Sequence, residues 1–322
     1  MTPAHGAMTP ARGAMTWASG AGALAAALIA LRMLPAAPDQ GFGAAGWALV
    51  ALAWLLAWAF VQGLSRGQPG RLTRLAIPLI FGATVLFLWE AVTRGAHVPQ
   101  VLLPPPSMIW ERLAGSVPIL WADFRQTFLR AVLIGYALGC GSAFLTAIAI
   151  DRSPFLQRGL LPVGNLVSAL PIIGIAPIMV MWFGFDWPSK AAVVVVMVFF
   201  PMLVNTVAGL QAAEAMQRDL MRTYAASYWQ TLFKLRLQAA APFIFNALKI
   251  NSTLALIGAI VAEFFGTPTV GMGFRISTEV GRMNVDMVWA EIAVAALAGS
   301  AFYGVVALLE RAVTFWHPSV RG

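Results

Sequence analysis

Few side chains in this sequence are suited to chemistry, and their spacing excludes most of it. The lysines, Lys190, Lys234 and Lys249, follow Ser, Phe and Leu. A phosphate-cradling loop needs a lysine after a glycine, because backbone amides and the ammonium act on the phosphates together. The chain therefore has no nucleotide-hydrolysing motor of its own. His5, His97 and His317 are too dispersed for a histidine metal cluster. Cys140 is the single cysteine and has no disulfide partner within the chain. No H-E-x-x-H helix occurs. The expectation is a non-enzyme with no cofactor or metal on this chain, a membrane enzyme with dispersed carboxylates being the weak alternative.

The remaining chemistry is that of charges at the edges of apolar runs, where burial makes them expensive and invites a functional reading. Glu263, followed by Phe264, Phe265 and Gly266, reads either as a gate facing the outside or as a helix-end carboxylate near water. Glu90, and Glu310 with Arg311, sit close enough to run ends to snorkel and read as structural. Asn246, Lys249, Asn251 and Ser252 form a polar cluster, with Asn246 and Lys249 three apart on one helical face. Asn165, Ser168, Asn205 and Thr206 either line a pathway or join helices, and helix joining is favoured.

The elements that must carry these groups are membrane helices. Hydrophobic residues make up 60%, charged residues 11%, and mean hydropathy is +0.78; soluble domains carry roughly a quarter charged residues. Runs of the ~20 apolar residues needed to cross the hydrocarbon core fall at about 17–37, 44–63, 75–93, 127–150, 158–184, 189–210, 242–264 and 287–313. Ten-residue alternation of a membrane barrel is absent from the sequence. The net charge of +8 comes from residues scattered in short loops, as the positive-inside rule distributes them, and not from a nucleic-acid footprint. Arg66, Arg71, Arg74, Arg152, Arg158, Arg218, Arg222, Lys234 and Arg236 fall on one side, which predicts a cytoplasmic location for those loops and for both termini.

A heptad repeats three times from Met1, MTPAHGA, MTPARGA, MTWASGA, and residues 1–16 are expected to be a disordered lead-in. A signal peptide ending near Pro35-Ala36-Ala37 is the alternative, disfavoured by the runs that follow. Pro104, Pro105 and Pro106 stop any helix before an amphipathic piece with Met108, Ile109, Trp110 and Leu113, expected along the outer interface. Pro171 and Pro177, with Gly174 between, should break or kink the fifth run.

Between the sixth and seventh runs, Gln211 to Ala241 spends about 30 residues outside the membrane, far more than a hairpin needs. Tyr224, Tyr228, Leu232 and Leu235 recur at helical spacing on one face, with Arg222, Gln230 and Lys234 elsewhere. Periodicity alone fits an interfacial amphipathic helix as well as a docking helix for a cytoplasmic protein.

This segment resembles the EAA loop of the permease subunits of bacterial ABC importers, E-A-A, three residues, G, nine residues, I-x-L-P. Asp219 takes the acidic position, Ala225 the glycine, and Leu235, Arg236, Leu237 and Gln238 the last four. The alanine pair, the glycine and the proline are replaced. Ala226-Ser227-Tyr228-Trp229-Gln230-Thr231 is similar to the nitrate, sulfonate and taurine branch. So are LLPPPSMIWERL from Leu102, SALPIIGIAPIMVMWFG from Ser168 and VAEFFGTPTVGMGFRI from Val261. The resemblance covers residues 75–320 and implies an all-α type I importer bundle of six core helices. Residues 17–63 then supply two additional membrane helices, and 64–74 a basic cytoplasmic linker.

In that family the segment 211–241 forms coupling helices seated on an ATP-binding subunit. The resemblance implies docking through Tyr224, Tyr228, Trp229 and Phe233, oriented by Asp219, Arg222, Gln230 and Lys234. ATP and magnesium would be bound by the partner ATPase. A homodimer in the bacterial inner membrane, a periplasmic or lipid-anchored binding protein, and lipid complete the implied partners. With alanine at 225, where glycine would allow a left-handed turn freely, the expectation is a helix running on through Ala225. The few basic residues inside the runs favour a small organic or heteroaromatic solute, such as a pyrimidine vitamin precursor, riboflavin, a sulfonate or taurine. Asn165, Asn205, Asn246, Lys249 and Glu263 are the pathway or gate candidates. An ion-coupled secondary carrier and a membrane scaffold are the rival readings.

Overall fold

A computed structural model of the chain describes residues 10–33, 42–66, 70–153, 155–159, 162–163, 171–266 and 269–315. Among them all regular structure is helical. The helices are α1 (Pro10–Arg32), α2 (Ala44–Ser65), α3 (Arg71–Gly95), α4 (Pro106–Gly115), α5 (Val117–Arg152), α6 (Ile172–Phe183), α7 (Trp187–Gln211), α8 (Ala215–Thr223), α9 (Tyr228–Glu263), α10 (Met272–Gly281) and α11 (Val285–Val313). Six of these, α2, α3, α5, α7, α9 and α11, are long and apolar enough to cross a bilayer, while Thr16–Arg32 and Ile172–Phe183 are shorter apolar helices.

Several boundaries differ from expectation. Pro10 to Thr16 belong to α1 and are not part of a disordered lead-in; proline at the first helical position costs nothing, since its missing N–H would be unpaired there anyway. The linker 64–74 is mostly helix ends, because Leu64 and Ser65 close α2 and Arg71 to Arg74 open α3. Both α5 and α9 run for 36 residues, about 54 Å at 1.5 Å per residue and so much longer than the ~30 Å core. Each contains a π-helical stretch, Arg125–Val132 and Leu232–Arg236. The expected run 158–184 lies partly outside the described residues. Pro171 caps α6, and Pro177 is carried inside that helix.

The chain divides into two compact units, residues 1–115 with 283–287, and 116–282 with 288–322. In the first, α1 pairs with α2 and α2 with α3. The buried Glu90 carboxylate accepts from the Ser107 amide (2.9 Å), the Ser107 hydroxyl (2.7 Å) and Arg94 (3.2 Å). That places a negative charge at the N-terminus of α4, where the helix dipole favours it. The amphipathic reading of α4 is observed, with Ile109 buried and Trp110 exposed.

In the second unit α7 is packed between α5 and α9, around a core including Val132, Ala143, Ile150, Val198, Leu203, Ala255 and Ala259. Close approach needs small residues. A Cβ on Gly135 would lie 2.7 Å from the Ala191 carbonyl, and one on Gly139 2.4 Å from Val198. This is the small-residue packing by which membrane helices associate without a hydrophobic drive between them. Asn251 donates to the Val198 carbonyl at 2.9 Å, a polar tie at the centre of the core. Asp186 caps α7 and also accepts from Gln126 at 2.7 Å. The Trp187 amide, then Gln126, hold its carboxyl below the usual carboxylate range against the opposite pull of burial.

Candidate functional site: the segment between α7 and α9

The stretch predicted to lie outside the membrane folds as two helices at an abrupt turn. α8 ends at Thr223, Tyr224 caps it, and Ala225 takes φ +48°. The Ala226 amide donates to the Met221 carbonyl (3.0 Å) and the Ala225 amide to Arg222 (2.9 Å), the paired bonds of a Schellman helix stop. The expected continuous helix is therefore wrong. Two recovered backbone bonds outweigh the roughly 1–2 kcal/mol that a Cβ costs in the left-handed region, so alanine stands where the family has glycine and the turn has not moved. One consequence is that Tyr224 and Tyr228 do not share a helical face.

Ser227 starts α9 through a reciprocal capping box. Its hydroxyl accepts from the Gln230 amide (3.3 Å), and the Gln230 side chain accepts from the Ser227 amide (2.8 Å). This accounts physically for the Ser and Gln of the Ala-Ser-x-Trp-Gln-Thr pattern. Gln230 is thus committed to the helix start.

Beneath the turn lies an ionic clamp. Asp151, the penultimate residue of α5, receives both Arg236 guanidinium nitrogens at 2.7 and 2.6 Å and the Tyr228 hydroxyl at 2.9 Å. Arg236 Nε also donates to the Leu210 carbonyl at the end of α7 (2.9 Å). Leu232 is wholly buried with Leu210 and Ala240. The start of α9 is consequently bolted to the ends of α5 and α7. Tyr228, expected as a docking anchor, faces inward and serves this clamp.

Four residues of the expected docking set are free to meet a partner. Tyr224 is 77% exposed, Trp229 48% and Phe233 60%; Lys234 is exposed. Trp229 and Phe233 stack with centroids 6.0 Å apart, and the Arg152 guanidinium sits 5.6 Å from the Tyr228 ring and 5.8 Å from that of Trp229. Asp219 and Arg222 pair at 3.3 Å on the exposed surface of α8, a contact worth little to stability.

The pathway candidates are dispersed. Asn165 lies outside the described residues, as does Ser168. Asn205 donates to the Pro201 carbonyl of its own helix (2.8 Å). Lys249 pairs with Glu310 at 2.7 Å, while Asn246 is exposed. Glu310 is a partner in that ion pair and does not merely snorkel.

Glu263 is buried and not near water. It accepts from Thr127 (2.8 Å) and the Gly273 amide (2.7 Å). Asp123 accepts from the Gly271 amide (2.7 Å) and Arg275 (2.9 Å), and Lys190 donates to the Phe185 and Gly266 carbonyls. These groups fasten the chain entering α10. Sequence reading counted Arg236 among the cytoplasmic charges and the loop pattern, and singled out neither Asp123 nor Asp151. The available signal was an acid within two residues of an apolar helix end, which is too common to single them out.

Residues 131–315 match the family described as binding-protein-dependent transport system inner membrane component. Over 219 residues the chain is 30% identical to a probable ABC transporter permease protein of Haemophilus influenzae, covering 68% of this chain and 89% of that one. It is 29% identical over 239 residues to the formylaminopyrimidine transport permease protein of Halalkalibacterium halodurans, covering 74% and 95%. Against the riboflavin transport system permease protein of Chloroflexus aurantiacus it is 28% identical over 249 residues, covering 76% and 91%. With six candidate spans, an all-helical fold and the segment between α7 and α9 in place, the chain belongs to the binding-protein-dependent transport system inner membrane components, as an ABC transporter permease of the nitrate, sulfonate and taurine family.

Proposed function

We propose that this chain is the membrane subunit of an ATP-driven importer, working as a homodimer with two separate ATPases and a periplasmic or lipid-anchored binding protein. The observation that carries the reading is mechanical. Exposed Trp229 and Phe233 lie in the first two turns of a 36-residue helix, with Tyr224 at the turn before it, and Asp151 and Arg236 tie the start of that helix to α5. A push on the aromatic surface moves α9 as a rod over about 54 Å, which is what transmission from a cytoplasmic motor to an outer opening requires. ATP and magnesium act on the ATPase, the basic loops and both termini face the cytoplasm, and the membrane is the bacterial inner membrane.

The solute is a small organic molecule. Relatives named for riboflavin and formylaminopyrimidine transport and the commitment of Lys249 to Glu310 both favour an uncharged or weakly charged heteroaromatic compound over a bare inorganic anion. The test is uptake of radiolabelled riboflavin and pyrimidine precursors by proteoliposomes holding the permease, its ATPase and its binding protein. ATP-dependent accumulation supports the reading. Hydrolysis without accumulation of any solute that the binding protein retains contradicts it.

A further inference from the structure

The first unit carries a groove whose two ends differ in chemistry. Between α2 and α3, Trp54, Trp58, Phe81 and Leu88 wall a space of about 450 Å³. Trp54 and Trp58 are 46% and 54% exposed and meet edge to face with centroids 6.5 Å apart. At the other end the lining turns polar with Gln62 and Ser65. α2 stops there, with Arg66 as its cap, and Arg74 lies in the first turn of α3; both arginines are exposed.

Three further facts decide what fits. The step from Trp54 to Ser65 rises about 16 Å, half of the ~30 Å hydrocarbon core and hence the depth of one leaflet. Residues 40–89 carry no acid that would neutralise the basic end, Asp39 being the only carboxylate before Glu90. A second copy laid in parallel on this face would bring its own Arg66 and Arg74 to the same level, and like charges there oppose such a contact.

We propose that this groove is a binding site for one anionic phospholipid, with an acyl chain lying along Trp54 and Trp58 and the phosphate at Arg66 and Arg74. The aromatic walls supply apolar contact that any lipid can use. The arginines supply the discrimination, because a zwitterionic headgroup brings its own cation to the same place. Near an anionic surface each basic residue contributes about fivefold in affinity, so the pair contributes on the order of 30-fold before screening. The role for α2, which lies outside the six-helix core, is thereby a lipid-reading one that the solute pathway does not require.

The experiment uses the full-length chain in phosphatidylcholine vesicles containing a small, equal fraction of either brominated phosphatidylglycerol or brominated phosphatidylcholine. Quenching is read from tryptophan fluorescence. The contribution of the groove is the difference between the native chain and Trp54→Phe/Trp58→Phe, a change that keeps the walls aromatic. The expected result is at least a fivefold preference of that difference signal for brominated phosphatidylglycerol, lost in Arg66→Gln/Arg74→Gln and reduced by salt, with helix content by circular dichroism unchanged. Equal quenching by both lipids means ordinary surrounding lipid and overturns the proposal. Quenching by neither means that protein covers the groove and also overturns it, and so does a preference that survives the arginine substitutions.

Discussion

The guanidinium of Arg236 grips the carboxylate of Asp151 with two parallel hydrogen bonds of 2.7 and 2.6 Å, and the Tyr228 hydroxyl completes the site at 2.9 Å. The pair is largely buried and joins the first turns of α9 to the end of α5. Forked arginine–carboxylate geometry fixes orientation as well as distance, so this contact defines the angle at which the exposed segment leaves the bundle.

Removing one partner should be costly. Asp151→Ala leaves a buried guanidinium unpaired and is expected to lower stability by about 3–5 kcal/mol, with Arg236→Ala similar. Tyr228→Phe, which removes a single hydrogen bond to a charged acceptor, should cost only about 1.5–3 kcal/mol. Thermal unfolding in detergent of the three variants checks the order. Equal losses in all three would mean that the forked pair has no special standing.

At Ala225 the prediction has the opposite sign. The residue holds φ +48° at a Schellman stop, where glycine avoids the clash of a Cβ. Ala225→Gly should stabilise the chain by about 1 kcal/mol, and Ala225→Val, with a branched Cβ in the same conformation, should destabilise it. A higher unfolding midpoint for the glycine variant is the expected measurement. A lower one would show that the turn is not left-handed at this position.

Gly273 has no room for change. A Cβ there would stand 2.1 Å from the Ile260 carbonyl and 2.9 Å from Glu263, and both neighbours are held, Ile260 by helix α9 and Glu263 by its bonds to Thr127 and the Gly273 amide. Gly273→Ala should therefore cost at the upper end of the roughly 1–3 kcal/mol range for overpacking. Gly281→Ala is the control, because open space surrounds it and the backbone is helical. Limited proteolysis of the 264–273 stretch separates the two, with faster cleavage expected only in Gly273→Ala.

Local order and long-range pairing were unequally legible in the sequence. Apolar length located the long helices, because crossing a bilayer imposes a minimum run, and the Ser227 to Thr231 pattern marked the start of α9. Helix ends were misjudged at Leu237 to Ala241, which belong to the same continuous helix as the seventh run although they were read with the separate segment before it. Asp151 and Arg236 are 85 residues apart, and periodicity carries no information about partners at that separation. Ala225 failed for a different reason. Its intrinsic preference argues for continuing the helix, and only the two backbone bonds closed by the turn reverse that preference. Glu263 was placed correctly near a helix end, but its burial depends on Thr127 and Gly273, which the sequence does not bring together.

The claim that the segment between α7 and α9 receives the motor is tested most directly by cross-linking. With Cys140 replaced by alanine, a single cysteine at Trp229 or Phe233 is presented to the purified partner ATPase, and a short bifunctional thiol reagent is added with and without ATP. Cross-links between permease and ATPase at both positions, with yields that change when nucleotide binds, are the predicted result. If neither position cross-links in any nucleotide state while the two proteins remain associated, the ATPase docks elsewhere and the coupling role assigned to this segment is wrong.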